Sequence, residues 1–548
     1  MSIDVENLYD RRADNRWDRV AVGDILERMT WSDPDKVALA ATPDAIADPQ
    51  FARLSYRDAD RLANRIANAL LGLGLERAAR VAMLCENSVE AYVCKLGIAK
   101  AGLVAVPVNT MMAPDMVEHV LRHVDARVAV VDADLWESKG APFSAAGVQP
   151  VAAIRGVVAA PAGVPDFADF VASVSDLEPE VRIHGDDIWQ ILLTSGTTAM
   201  PKAVMISHTY SYMAAHSHAL SYTRGLALEA ALVTCSFLPV IFHIGDHANV
   251  LPALLTGGRA IIGRRPQAQA IATAITREAV TCLWGGSPQF VHDLVREVER
   301  TPLYYDFTSL TVLVFGWAAM SPGLADALQR LCNGVQLIGL FGQTEAIACH
   351  RFWPARWPET YRRTAPEINY VGIPSPMLAS TIVDDEGRSL HGQAGVAGEA
   401  VYRSPAVTAG YFRDEAATRE AFRGGWFHSG DMCVYDDDGL RIMVDRYKDV
   451  VKSGGENVSS IRVESVLVQH PTVSRAAVVG VPDARWGEAV TACVIAEPGQ
   501  TIDEAALMAF CRERLAGFET PKRVVVMEEL PVTVGGKVLK YRLRALLR

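Results

Sequence analysis

The sequence predicts an α/β protein in two unequal parts: a large N-terminal domain of several α/β subdomains over residues 1–444, and a smaller α+β domain over 445–548. Three observations lead there. The chain has 548 residues, beyond the roughly 250–300 at which a single hydrophobic core stops growing. Short β-branched runs alternate with helical patterns along most of the chain, the order expected of α/β layers. Near Asp445 the turn-rich Asp436-Asp437-Asp438-Gly439 gives way to a short strand and then to the charged Asp445-Arg446-Tyr447-Lys448-Asp449, which marks a boundary.

The individual elements follow from spacing. Over residues 55–70, Ala59, Leu62, Ala63, Ile66 and Leu70 recur at helical intervals, and Ser55 with Asp58 resembles a capping box, so an amphipathic helix is predicted. Residues 128–131 and 151–154 read as strands. Beyond the boundary, 463–468 reads as helix, 476–481 and 489–496 as strands, and 504–515 as a second helix.

Composition narrows the function classes. Its 53 basic and 64 acidic side chains leave a formal charge of −11, which argues against nucleic acid or an anionic membrane as the main partner. The nine cysteines are scattered, with no Cys-x-x-Cys pair and no metal-ligand spacing, and read as reduced core thiols. A charged N-terminus and the lack of an apolar run of about 18 residues predict neither a signal peptide nor an integral membrane segment. A cytoplasmic enzyme is the expectation.

The chemistry concentrates first in a loop. Ile191-Leu192-Leu193 leads into Thr194-Ser195-Gly196-Thr197-Thr198-Ala199-Met200-Pro201-Lys202 and on to Val204-Met205-Ile206, a strand, a hydroxyl-rich loop and a second strand. Hydroxyls, backbone amides around Gly196 and the ammonium of Lys202 can together surround a polyphosphate. Composition alone is equally that of a Ser/Thr turn between strands. The loop is not a Walker loop, because no Gly precedes Lys202 and no Ser or Thr follows it.

Ser-Gly-Thr-Thr-x-x-Pro-Lys nevertheless resembles the phosphate loop of the adenylate-forming superfamily, which includes the AMP-dependent acyl-CoA synthetases. Further matches follow in the same order: Phe341-Gly342-Gln343-Thr344-Glu345, Gly398-Glu399, Gly410-Tyr411, Trp426-Phe427-His428-Ser429-Gly430-Asp431, Asp445-Arg446-Tyr447-Lys448-Asp449 and Gly536-Lys537. The resemblance implies activation of a small-molecule carboxylic acid by ATP with release of pyrophosphate, then transfer of the acyl group from AMP to the thiol of CoA. Within it Glu345 would hold Mg²⁺, with Thr344 beside it, since Mg²⁺ needs only one or two carboxylates besides phosphates. Phe341 would lie on the adenine face, with Gly316, Trp317, Ala318, Gly339, Gly342 and Gln343 around the nucleotide. Asp431 would accept from the ribose hydroxyls, although alone it reads as a turn or cap residue, and Arg446 would sit near ribose and phosphate. Lys537 would be the main catalytic side chain of adenylation, neutralising charge as the carboxylate attacks.

The same resemblance implies a C-terminal domain that rotates about Lys448 between the two steps, withdrawing Lys537 and bringing Lys452, Ser453, Gly454 and Gly455 to the CoA thiol. Phe242 and His243 match the segment over the acyl site, where His243 reads equally as a gate and as a structural histidine. An Asp usually stands at that position in domains that activate amino acids, so an amino-acid substrate is not expected. Trp317 stands where many relatives have Gly; it reads equally as pointing outward and as a wall that, with Trp284 and Gly285, shapes the pocket for a medium, branched, cyclic or aromatic acid. Ala199 and Ala203 stand where Gly is common. A carrier-protein thiol in place of CoA, a catalytically silent nucleotide-binding regulator and luciferase-like oxidation are the alternatives on this scaffold. Both homodimers and monomers are compatible with it.

Overall fold

A computed structural model describes residues 19–155, 161–194, 201–223, 228, 231–332, 334–483, 485–532 and 538–547. Three sheets organise it. The largest runs, in hydrogen-bonding order, Ala379–Val383, Gly398–Arg403, Phe427–Tyr435, Arg441–Arg446, Tyr370–Pro374, Ala346–Phe352, Gln336–Gln343, Val312–Gly316, Cys282–Trp284, Val233–Ser236, Arg259–Ile262, Val37–Ala41 and Arg53–Ser55. Its central strands are parallel and nearly wholly buried, as expected where helices cover both faces. The second sheet runs Gly410–Tyr411, Ala203–Ser207, Ile188–Leu193, Val104–Pro107, Arg80–Leu84, Ala126–Asp132 and Gln149–Ile154. The third belongs to the C-terminal part, with strands Val451–Ser453, Glu456–Val458, Val473–Asp483, Gly487–Ala496 and Arg523–Val526 around their own apolar core.

Local reading fares well where the pattern is periodic. Helix Tyr56–Gly72 forms with Ser55 as its N-cap, the serine hydroxyl accepting from Asp58 N at 3.1 Å. Its apolar stripe packs on helix Val89–Lys100, which is buried on every face. The C-terminal helices are Ser460–Leu467 and Glu504–Arg512, the second three residues shorter than predicted. Arg514 and Leu515 close on Cys511 O in the turn that ends it.

The fully buried helix Val89–Lys100 carries two lysines, and each needs a partner to be tolerated there. Lys100 Nζ donates to Asp60 at 2.8 Å, Asn64 at 2.7 Å and Glu178 at 2.6 Å. Lys95 Nζ pairs with Asp246, whose other carboxylate oxygen accepts from Tyr92 Oη at 2.8 Å. Lys95 also lies 4.8 Å from the centre of the Trp189 ring. Eight cysteines are free and buried, as core thiols should be. Among the described residues, no helix is long and apolar enough to cross a membrane.

Candidate active site

Strands Ile188–Leu193 and Ala203–Ser207 form an antiparallel hairpin, with Leu193 opposite Ala203. Thr194 N donates to Lys202 O at 3.0 Å and Lys202 N to Thr194 Oγ1 at 3.2 Å, so these two residues close the neck of the hydroxyl-rich loop. Ser195, Gly196, Thr197 and Thr198 lie outside the described residues, as does Lys537. Strand Gly410–Tyr411 extends the hairpin on its outer edge, with Tyr411 opposite Val204. The Lys202 ammonium consequently rests 4.3 Å above the centre of the Tyr411 ring.

The turn at Thr344 and Glu345 follows strand Gln336–Gln343 and reaches the same place. Tyr210 fixes it from helix His208–Tyr222, donating its hydroxyl to Thr344 O and accepting from Ile347 N, both at 3.0 Å. Thr408 N donates to Glu345 O at 2.7 Å. Tyr411 Oη donates to Glu345 Oε1 at 3.0 Å, and burial with the neighbouring Glu345 charge holds that phenol well above its ordinary pKa. Glu345 is only 8% exposed.

Asp431 corrects the turn reading. It lies inside strand Phe427–Tyr435, 1% exposed, directly opposite Arg446 of Arg441–Arg446. Arg446 Nε and Asp431 Oδ1 are 3.0 Å apart, and the Asp431 charge, aided by Glu345 and Asp449, holds the guanidinium above its ordinary pKa. The signal for a turn came from Gly430, whose φ of +71° allows a kink within the strand. Glu399 keeps that kink in place, accepting from Gly430 N at 2.9 Å and pairing with His428 at 2.7 Å and Arg423 at 2.6 Å. Sequence reasoning gave Glu399, Tyr210 and Tyr411 no role; the Gly398-Glu399 and Gly410-Tyr411 motifs were the available signal.

Phe341 lies in the strand that leads to Glu345, its ring 6.2 Å from His350, and Gly339 faces Phe315 two residues earlier. Gly342 has no room for a side chain, since a Cβ there would lie 2.4 Å from Ile347 O. Gly316 ends the neighbouring strand and Trp317 follows it with φ +68°, a conformation that costs a bulky residue strain. Trp317 is 40% exposed and meets the buried Trp284 edge to face, with ring centres 6.2 Å apart. The Trp317 ring packs against Gly286, while a Cβ on Gly285 would meet Val291. Trp317→Gly is expected to hold or raise the melting temperature, because glycine adopts positive φ freely, while widening acceptance toward longer acids; a panel of chain lengths in a pyrophosphate-exchange assay measures it.

Phe242 precedes the one-turn helix His243–Gly245, which runs straight into a π-helical turn, Asp246–Val250. Such turns are rare and favour functional sites. Two anchors hold this one: the Lys95–Asp246–Tyr92 cluster, and His247, whose ring bonds Ser211 Oγ at 2.7 Å and His243 O at 3.2 Å. The backbone of His243 is thus fixed from below.

In the C-terminal part, Lys452, Ser453, Gly454 and Gly455 form a hairpin turn, with the glycines at φ +62° and +88° and Ser453 buried. Lys448 is held below its ordinary pKa by burial and by Arg446 beside it. Around it, Ser459 Oγ bonds Val444 O at 2.7 Å, Ser460 bonds Asp445 through both its amide and hydroxyl at 2.6 Å, and Arg544 pairs with Asp449 at 2.9 Å. Lys540 bridges Ser460 and Glu464, which ties the last helix, Lys540–Leu547, to this segment.

A layered α/β domain with a small C-terminal domain, carrying an ammonium, a carboxylate and an Asp–Arg pair on its sheets, is the arrangement of the adenylate-forming ligases. The profile of the AMP-binding enzyme family matches residues 26–412 and that of the AMP-binding enzyme C-terminal domain residues 462–537, and the chain belongs to this family. It is 33% identical over 497 residues to a feruloyl-CoA synthase of Amycolatopsis sp., covering 90% of this chain and 93% of that one. It is 30% identical over 525 residues to the long-chain-fatty-acid–CoA ligase FadD13 of Mycobacterium tuberculosis (strain ATCC 25618 / H37Rv), covering 95% and 98%. Among solved structures it resembles the anthranilate CoA ligase AuaEII in complex with anthranoyl-AMP, with a TM-score of 0.82, 27% identity and coverage of 96% and 97%. The protein is an AMP-forming acid–thiol ligase that makes an acyl-CoA through an acyl-adenylate.

Proposed function

We propose that this ligase activates a compact carboxylic acid, branched, cyclic or aromatic, on a site built from Lys202, Glu345, Asp431 and Arg446, and passes it to CoA. The carrying observation is the convergence of these four side chains from separate segments: Lys202 and Glu345 both touch Tyr411, and Asp431 pairs with Arg446, whose charge also feels Glu345. Asp431 receives the ribose hydroxyls, and Lys202 steers the departing pyrophosphate. Glu345 fits Mg²⁺, a buried carboxylate beside the polyphosphate neck; the ion supplies charge neutralisation at the phosphates when bound. In-line attack of the acid's carboxylate on the α-phosphorus then needs a cation at the attacking oxygen, the role given to Lys537.

The boundary at Asp445 and the hinge at Lys448 belong to the same reading. Rotation there exchanges Lys537 for the 452–455 turn, whose glycines let a pantetheine arm approach the backbone. The hydrogen bonds of Ser459 and Ser460 to Val444 and Asp445 cross the hinge and would re-form differently in the second state. The edge-to-face Trp284–Trp317 pair supports the compact acid, because it puts two indoles beside Gly316, where the family resemblance sets the acyl pocket.

Pyrophosphate exchange over a panel of acids, followed by thioester assay with CoA, tests the proposal. Exchange is expected with branched, cyclic or aromatic acids and CoA product from the same acids. Exchange only with long straight chains would overturn the substrate class. Exchange without CoA thioester would move the acceptor to a carrier protein or another nucleophile.

A further inference from the structure

We infer that Tyr411 is a positioning residue that seats Lys202 on its ring face and Glu345 on its hydroxyl, holding the phosphate cation and the metal carboxylate apart yet in register. The inference rests on the proposed roles of those two residues and extends them to a third. The phenol stands between them: Lys202 Nζ is 4.3 Å from the ring centre and Glu345 Oε1 is 3.0 Å from the hydroxyl.

Two opposite charges that share one site attract each other. A direct Lys202–Glu345 ion pair would spend on itself the cation meant for phosphate and the carboxylate meant for Mg²⁺. An aromatic face holds an ammonium without neutralising it, so the cation can keep its seat on the ring while it meets a polyphosphate. A phenol hydroxyl occupies one carboxylate oxygen and orients the group without neutralising its charge. The two contacts also reinforce each other, because donation to a carboxylate makes the ring more electron-rich and a better seat for a cation.

Tyr411 is itself firmly placed. Its backbone pairs with Val204, its amide donates to Thr418 Oγ1 at 3.0 Å, and the next residue, Phe412, donates to Ala203 O at 2.8 Å. The ring is 6% exposed, so it does not swing away. It also ties the Lys202 hairpin to the Glu345 turn, as does Thr408, bonded to both Met205 O and Glu345 O.

The test separates the two ends of the ring. Tyr411→Phe keeps the face and removes the hydroxyl; Tyr411→Leu removes both. Two quantities are measured on the full-length enzyme: the half-saturating Mg²⁺ concentration in pyrophosphate exchange, and ATP affinity by calorimetry in EDTA. Tyr411→Phe is expected to raise the Mg²⁺ requirement about tenfold, the value of one hydrogen bond to a charged group, and to leave metal-free ATP affinity within about twofold. Tyr411→Leu is expected to raise the Mg²⁺ requirement equally and to weaken metal-free ATP binding by a further factor of about three to thirty. A purely structural tyrosine would lower the melting temperature and leave both quantities unmoved, and that result overturns the inference. So does an equal change of both quantities in Tyr411→Phe, which carries the test if the leucine variant does not fold. Lys202→Ala and Glu345→Gln serve as references. If the first leaves ATP binding unchanged, or the second leaves the Mg²⁺ requirement unchanged, the site reading fails; if they respond and Tyr411 does not, only its positioning role fails.

Discussion

Lys537→Ala is expected to slow acid-dependent pyrophosphate exchange by on the order of 10²–10³, the loss seen when one preorganised group facing developing charge is removed. The same variant should convert supplied acyl-adenylate and CoA to thioester at near the parent rate, because in the proposed division of labour the rotated state would carry the 452–455 turn, and not Lys537, to the acyl group. Rapid-quench measurement of each half-reaction distinguishes the two. Equal slowing of both would end the division of labour between Lys537 and the CoA-side turn. Lys540, three residues on, is held by Glu464 at 2.8 Å and by Ser460, which itself bonds Asp445. Helix Lys540–Leu547, which follows Lys537 in the chain, is therefore tied to the segment proposed as the hinge.

The second large effect concerns stability. Lys95→Met is expected to cost about 3–5 kcal/mol in unfolding of the N-terminal domain, since it leaves the Asp246 carboxylate buried without its cation. Burial already raises the pKa of Asp246 despite Lys95, so the carboxyl, left with Tyr92 and without its cation, would take up a proton. The double variant Lys95→Met/Asp246→Leu should recover most of the loss, as buried ion pairs replaced by apolar residues of similar volume often do. Urea unfolding followed by tryptophan fluorescence measures both, Trp189 lying 4.8 Å from Lys95 Nζ. If the pair is only structural, the double variant will keep its acid preference; if it holds the His243 segment, preference among acids will change even where stability returns.

These two cases show where sequence reading succeeds and where it stops. Helix Tyr56–Gly72 was legible because a stripe of apolar residues at helical spacing and one capping serine suffice to write it. The hairpin around Lys202 was legible because two short apolar runs flank a polar loop. Alone, Asp431 reads as a turn or cap residue because His-Ser-Gly-Asp has turn composition, and only the ladder with Arg446 reveals a strand. The hydrogen bond from Tyr411 to Glu345 spans 66 residues, and the Lys95–Asp246 pair spans 151. No local pattern encodes such partners, since a tyrosine after a glycine or a lysine inside an apolar helix is compatible with many surroundings.

Taken alone, the sequence determined the two-part α/β organisation, the order of the motifs and the kinds of group present: one ammonium in a hydroxyl-rich loop, one carboxylate after an apolar run, one lysine near the end. It did so because those features are local, or are ordered along the chain. Tertiary structure decided which groups meet: Lys202 over Tyr411, Tyr411 on Glu345, Asp431 against Arg446, Trp284 against Trp317 and Lys95 under the π-helical turn. The physical reason is that distances between segments are set by sheet register and by helix packing on it, and a shift of one residue in register carries a side chain to the opposite face.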